Sequence, residues 1–133
     1  MKDLVWDETL SVDVPEIDDD HRRLVDLYNL LKHAVADGES RDYIEALTEE
    51  LIACTAWHFR HEERLMLKYR YDGLAAHKTE HEELIESGKE LQQKLLAQGE
   101  AVSAEEIQLL EHWLVGHILG ADMGLGAYLA QQM

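Results

Sequence analysis

Residues 40–69 read SRDYIEALTEELIACTAWHFRHEERLMLKY, and one face of this stretch decides the fold. Ile44, Leu47, Leu51, Cys54, His58, Glu62, Leu65 and Tyr69 step by three or four residues along a single helical stripe, with Ser40 ahead of them as an N-cap. Upstream, from His21, the positions Leu24, Tyr28, Leu31 and Val35 repeat the spacing as far as Asp37-Gly38, where glycine supplies a left-handed terminus. The only proline, Pro15, stands among acids before that helix. Residues 1 to about 17 are therefore expected to form an extended arm, with Asp18 or Asp19 capping the first helix. Downstream, Asp72-Gly73 breaks the pattern, and Leu74, His77, His81, Leu84, Gly88, Leu91 and Leu95 resume it until Gln98-Gly99. Ser103 with Glu106 makes a capping box, from which Ile107, Leu110, Leu114 and His117 continue. Four helices joined by short connections predict an all-α fold, an up-down-up-down left-handed four-helix bundle with an extended N-terminal arm and a short C-terminal segment. The pattern leaves the conformation of Gly120–Met133 open between a short helix and irregular chain.

The 133 residues fit one domain, 1–133, and the 46% hydrophobic content suffices for a single core. A formal charge of −16 repels phosphate backbones and anionic lipid, which disfavours nucleic-acid and membrane-surface partners. The single cysteine, Cys54, makes no internal disulfide, and a reducing compartment suits the chain. Acidic residues come early, and no apolar run approaches the length of a secretory leader or a membrane span, so the expectation is a cytoplasmic protein. A monomer is the expected state.

The chain holds eight histidines, and their position separates them. His33, His61 and His112 fall off the apolar stripes beside charged neighbours and read as solvated. His21, His58, His77, His81 and His117 occupy stripe positions and point inward, where unpartnered imidazoles would each cost a few kcal/mol, roughly. A metal satisfies them. Glu62 lies one turn from His58 on the same face, and His77 and His81 share the same separation, which lets side chains from consecutive turns reach one ion. Asp122 follows His117 by five residues and so would point about 140° away on a regular helix. A wider, π-type turn at Gly120 is expected to bring it back inward.

Five imidazoles and two bridging carboxylates are too many donors for one ion. With one bridging solvent oxygen they fill all but one position of two six-coordinate ions, and the mixed nitrogen and oxygen set suits iron, manganese or zinc, with iron the first choice. The same residues stand in a specific order: His21 after Val14-Pro15-Glu16-Ile17-Asp18, then His58-x-x-x-Glu62, His77-x-x-x-His81, and Trp113-x-x-x-His117-Ile118-x-x-x-Asp122. In this order the chain resembles, over essentially its whole length, the hemerythrin family of non-haem di-iron oxygen-binding proteins, in its bacterial single-domain form. The resemblance implies that His77, His81 and His117 hold one iron and His21 and His58 the other. It also implies that Glu62, Asp122 and an oxo or hydroxo group bridge the two, and that the second iron carries the vacancy. It further implies reversible binding of dioxygen for carriage, storage or delivery, rather than enzymatic turnover. By the same resemblance Leu24, Phe59, Trp113, Leu114 and Ile118 look like the apolar wall of the oxygen pocket, although each also reads as ordinary core.

Other assignments fit less well. A ferritin-like oxidase needs Glu-x-x-His steps, and a His-Glu-x-x-His hydrolase needs a second histidine; neither occurs. Oxygen or redox sensing, or nitric oxide or peroxide chemistry, is the alternative at the same di-iron site. An oxygen-consuming enzyme as recipient is not named by the residues. Because ligating histidines must be neutral, metal affinity is expected to fall below roughly pH 6, and the metal-free chain to be less stable.

Overall fold

The computed structural model describes residues 3–98 and 103–133. Among these the chain forms helices and no strand. The first helix, α1, runs Pro15–Ala36 and begins about a turn earlier than the acids of residues 18–19 suggest. Proline explains the difference: its fixed φ and missing N–H suit the first helical position, and the Val14 carbonyl accepts from the N–H groups of Ile17 and Asp18 at 3.0 and 2.9 Å. Asp18 therefore caps nothing. Its buried carboxylate instead accepts the Ser11 hydroxyl at 2.6 Å and the Val12 N–H at 2.9 Å, tying the arm to the helix.

The arm is not extended throughout. A 3₁₀ turn covers Glu8–Leu10, capped by Asp7, and Asp13 turns the chain into α1 with a left-handed φ of 61°. Nearer its start the arm docks on α1 through a reciprocal pair, Leu4 N–H to Asn29 Oδ1 at 3.0 Å and Asn29 Nδ2 to the Leu4 carbonyl at 2.8 Å.

Helix α1 closes at Gly38, whose φ is +68°, as the sequence requires. Helix α2, Arg41–Lys68, starts where expected, with the Ser40 side chain accepting from the Tyr43 N–H. Its left-handed exit falls at Arg70, with a φ of 56°, rather than at the glycine of Asp72-Gly73. Helix α3 is Leu74–Gln98; the expected end at Gly99 lies outside the described residues, as does the side chain of Leu95. The capping box of Ser103 and Glu106 forms and opens α4, Ala104–His117. A π turn, Ile118–Asp122, follows without a break, and α5, Met123–Gln132, gives the C-terminal segment a helical conformation.

Helix α2 packs between α1 and α3, and α1 also meets α4, which gives the up-down-up-down four-helix bundle. Its core has two parts. One joins the arm, the ends of α1 and α2 and α5, around Ile17, Met66, Ile118, Leu125 and Leu129. The other joins α1, α2 and α4 around Tyr28, Leu31, Ile44 and Ile107. Along α1, α2 and α4 the polar stripe positions fall between these two apolar regions, where the bundle buries them.

Candidate metal centre

Among the described residues ten polar side chains are buried, and seven of them meet in the middle of the bundle: His21, His58, Glu62, His77, His81, His117 and Asp122, the set that the sequence singles out. The π turn explains the last. Because the turn is wider than α-helix, a residue five places on returns to nearly the same face. The Asp122 Oδ1 then stands 3.0 Å from His117 Nε2.

The oxygen atoms divide into two sets. Glu62 Oε1 lies 2.9 Å from His81 Nε2 and 3.3 Å from His77 Nε2, while Oε2 lies 3.3 Å from His58 Nε2 and 3.8 Å from His21 Nε2. Asp122 Oδ1 is 2.9 Å from His77 Nε2 as well as near His117, and Oδ2 is 2.9 Å from His21 Nε2. One oxygen of each carboxylate thus faces His77, His81 and His117, and the other faces His21 and His58. Two donors at right angles, each about 2.1 Å from a common ion, stand about 3 Å apart, and all of these separations but the 3.8 Å from Glu62 Oε2 to His21 Nε2 match such ligand edges around two points.

All five Nε2 atoms and all four carboxylate oxygens are buried without a hydrogen bond. Nitrogen and oxygen atoms converging in the dry interior without hydrogen-bond partners fit shared positive charge, whether protons or metal. Burial opposes ionisation of Glu62, yet the four imidazoles around it hold its carboxyl well below the ordinary range. Burial also opposes a charge on His58 and His77, but Asp20 and Glu62 lift the former to about 10, and Asp122 and Glu62 lift the latter to about 9. The same opposition, overridden chiefly by Asp122, raises His21 and His117. Such a cluster holds positive charge strongly, as protons or as metal.

Outside the seven lie three carboxylates that the stripes do not reveal. Asp20 Oδ2 accepts from His58 Nδ1 at 2.8 Å, Glu63 Oε2 from His81 Nδ1 at 3.1 Å, and Glu80 Oε1 from His117 Nδ1 at 2.7 Å. Each fixes its ring with Nε2 directed inward. Each is also the sequence neighbour of one cluster residue (His21, Glu62 and His81 respectively) while serving a histidine of the next helix. Adjacency alone does not single them out, since Glu82 also adjoins His81 and stands exposed.

His61 departs from the solvated reading. It is 15% exposed, and its Nδ1 meets Asp20 Oδ2 at 2.6 Å while its Nε2 meets Glu16 at 3.3 Å. An off-stripe residue of α2 still faces the neighbouring helix α1. His33 and His112 are exposed as expected, His33 beside Asp3 at 2.7 Å.

Leu24, Phe59, Trp113, Leu114 and Ile118 all line an apolar cavity of about 90 Å³. Since about 10–15 Å³ of this measure holds a water molecule, the space readily admits a diatomic gas. Its wall includes both imidazoles of the smaller set, His21 and His58, and from the larger set only His117. Phe59 also stacks flat on His81, ring centroids 3.8 Å apart.

A family model described as the hemerythrin HHE cation binding domain matches residues 12–129. The chain belongs to the hemerythrin family. It is 38% identical over 124 residues to the bacteriohemerythrin of Pseudomonas paraeruginosa, covering 93% of this chain and 80% of that protein. It is 34% identical over 113 residues to the bacteriohemerythrin of Methylococcus capsulatus, covering 85% and 86%. A crystal structure of wild-type hemerythrin superimposes with a TM-score of 0.88 at 32% identity, covering 96% of this chain and 98% of that one. Hemerythrins are oxygen-binding proteins rather than enzymes, and their cofactor is a di-iron centre, which the buried donor set of this chain fits.

Proposed function

We propose that this chain carries, stores or delivers dioxygen reversibly in the cytoplasm, as a monomeric single domain. In this reading His77, His81 and His117 hold one iron, His21 and His58 the other, and Glu62 and Asp122 bridge them. The observation that carries the assignment is the division of the carboxylate oxygens, one of each pair on either side. A set of two imidazoles leaves its ion one donor short of its neighbour, and the apolar cavity touches both of those imidazoles. Dioxygen enters there, between Leu24, Phe59, Trp113, Leu114 and Ile118.

When bound, two ferrous ions supply the two electrons that a reversible reduction of dioxygen needs. The chain's own residues keep that exchange reversible. Five imidazoles donate less charge than a carboxylate-rich set and so favour high iron oxidation states less. Asp20, Glu63 and Glu80 hold three of the rings in their ligating orientation. The apolar wall keeps water and stray protons from the gas. A net charge of −16 supports a freely dissolved protein with no nucleic-acid partner. Among the described residues no helix is long and apolar enough to cross a membrane.

The test is the visible spectrum of the iron-loaded, anaerobically reduced protein as oxygen is admitted and then removed. A charge-transfer band that rises and disappears over repeated cycles is expected. Irreversible bleaching, or steady consumption of oxygen, would overturn carriage in favour of redox chemistry.

A further inference from the structure

The three outer carboxylates form a directional series. Asp20 of α1 holds His58 of α2, Glu63 of α2 holds His81 of α3, and Glu80 of α3 holds His117 of α4. The series stops before it closes from α4 back to α1. His21 Nδ1 is buried and has no hydrogen-bond partner; the arm sets Trp6 beside this ring, tilted with centroids 6.4 Å apart, and no polar atom anchors the nitrogen. The consequences are unequal for the two halves of the centre. The half with three imidazoles has two of them anchored by carboxylates. The half with two imidazoles has one, and its anchor is Asp20.

Asp20 differs from Glu63 and Glu80 in a second respect. It is itself held, because His61 Nδ1 meets the same oxygen that His58 uses, and His61 Nε2 turns outward to Glu16. Three side chains from two helices thus converge behind one imidazole.

We propose that Asp20, braced by His61, is the positioning residue that secures the two-imidazole half of the centre, so that losing it weakens metal binding in that half and spares the other. The inference rests on the assignment of His21 and His58 to one ion. Removing a partner of a metal-bound histidine weakens metal binding about 10- to 100-fold. Here that loss falls on one ion of the two.

The test titrates metal-free protein with cobalt(II) alone, reading ions bound per chain by dialysis and elemental analysis and the ligand-field spectrum of each ion. Wild-type protein is expected to take two ions; if it takes one or none, the two-ion assignment itself fails, whatever the variants do. Given two, D20A is expected to bind the first ion within about twofold of wild type and the second about 10- to 100-fold more weakly. D20N, which keeps an acceptor oxygen, should recover part of that loss. H61Q leaves Asp20 in place and disturbs packing little; it should weaken the second ion severalfold and leave the spectrum of the first unchanged. E80A is expected to weaken the first ion instead. Equal weakening of both ions in D20A and H61Q would mean a merely structural role, and unchanged affinity for both would mean none; either overturns the proposal.

Discussion

Glu62 faces four imidazoles, two through each oxygen, from a fully buried position. Replacement by glutamine keeps the volume but turns one oxygen into an amide nitrogen and removes the charge that offsets the cations. E62Q should therefore retain at most one ion per chain where the wild type holds two, measured by elemental analysis after iron loading and gel filtration. Two retained ions would refute bridging. His77 approaches both carboxylates and is one of the three-imidazole set, so H77L should abolish the reversible oxygen band; an unchanged band would remove His77 from the centre. These positions are legible in the sequence because each ligand lies on the stripe that also carries Leu and Ile. Asp20, Glu63 and Glu80 are not, because each sits beside a stripe and works across a helix boundary, and periodicity records only which face of its own helix a residue occupies. His61 is misread for the same reason.

At the scale of elements, the informative contrast lies between two glycines of the last helical run. A Cβ added at Gly116, inside α4, meets nothing within 4 Å, whereas one at Gly126, in α5, would lie 2.2 Å from the Val12 carbonyl oxygen. The arm can run where it does only because residue 126 has no side chain. G116A should raise stability by about 0.5–1 kcal/mol through helix propensity alone. G126A should lower it and free the arm, detectable as a lower urea midpoint together with faster amide exchange at Val12. Equal effects of the two substitutions would show that the arm does not depend on this approach. Helix limits were legible where a side chain makes the cap, as at Ser40 and Ser103, and the five-residue step from His117 to Asp122 exposed the π turn, since only a widened helix places both inward. The start of α1 was not, because Asp18 serves the arm across seven residues of chain rather than the helix end. Nor was the exit of α2, where Arg70 adopts a conformation that sequence assigns to glycine.

Across the whole molecule, metal and protons compete for the same buried cavity of charge, and their competition fixes how stability varies with pH. In the metal-free chain, burial disfavours charged His58 and His77, but the carboxylates override it and hold them at about 10 and about 9. A group raised in the folded state contributes stability that is fully present below its unfolded pKa of about 6.5 and lost as pH climbs through the folded value. Glu62 and Asp122 are lowered, so their contribution is present above the ordinary carboxylate range and lost on acidification. Metal-free protein should thus be most stable between about pH 5 and 6.5 and weaken steadily towards pH 10. Metal binding must displace the imidazole protons, so affinity should already fall as pH drops through 9, well above the pH 6 that ordinary histidines would set. The gap in unfolding midpoint between iron-loaded and metal-free protein is therefore expected to widen from pH 6 to pH 9. Calorimetry of metal binding at pH 7.5, in buffers of different ionisation enthalpy, should show proton release. A constant gap, or binding without proton release, would mean that the imidazoles are already neutral in the metal-free bundle and that Glu62 and Asp122 do not hold them charged.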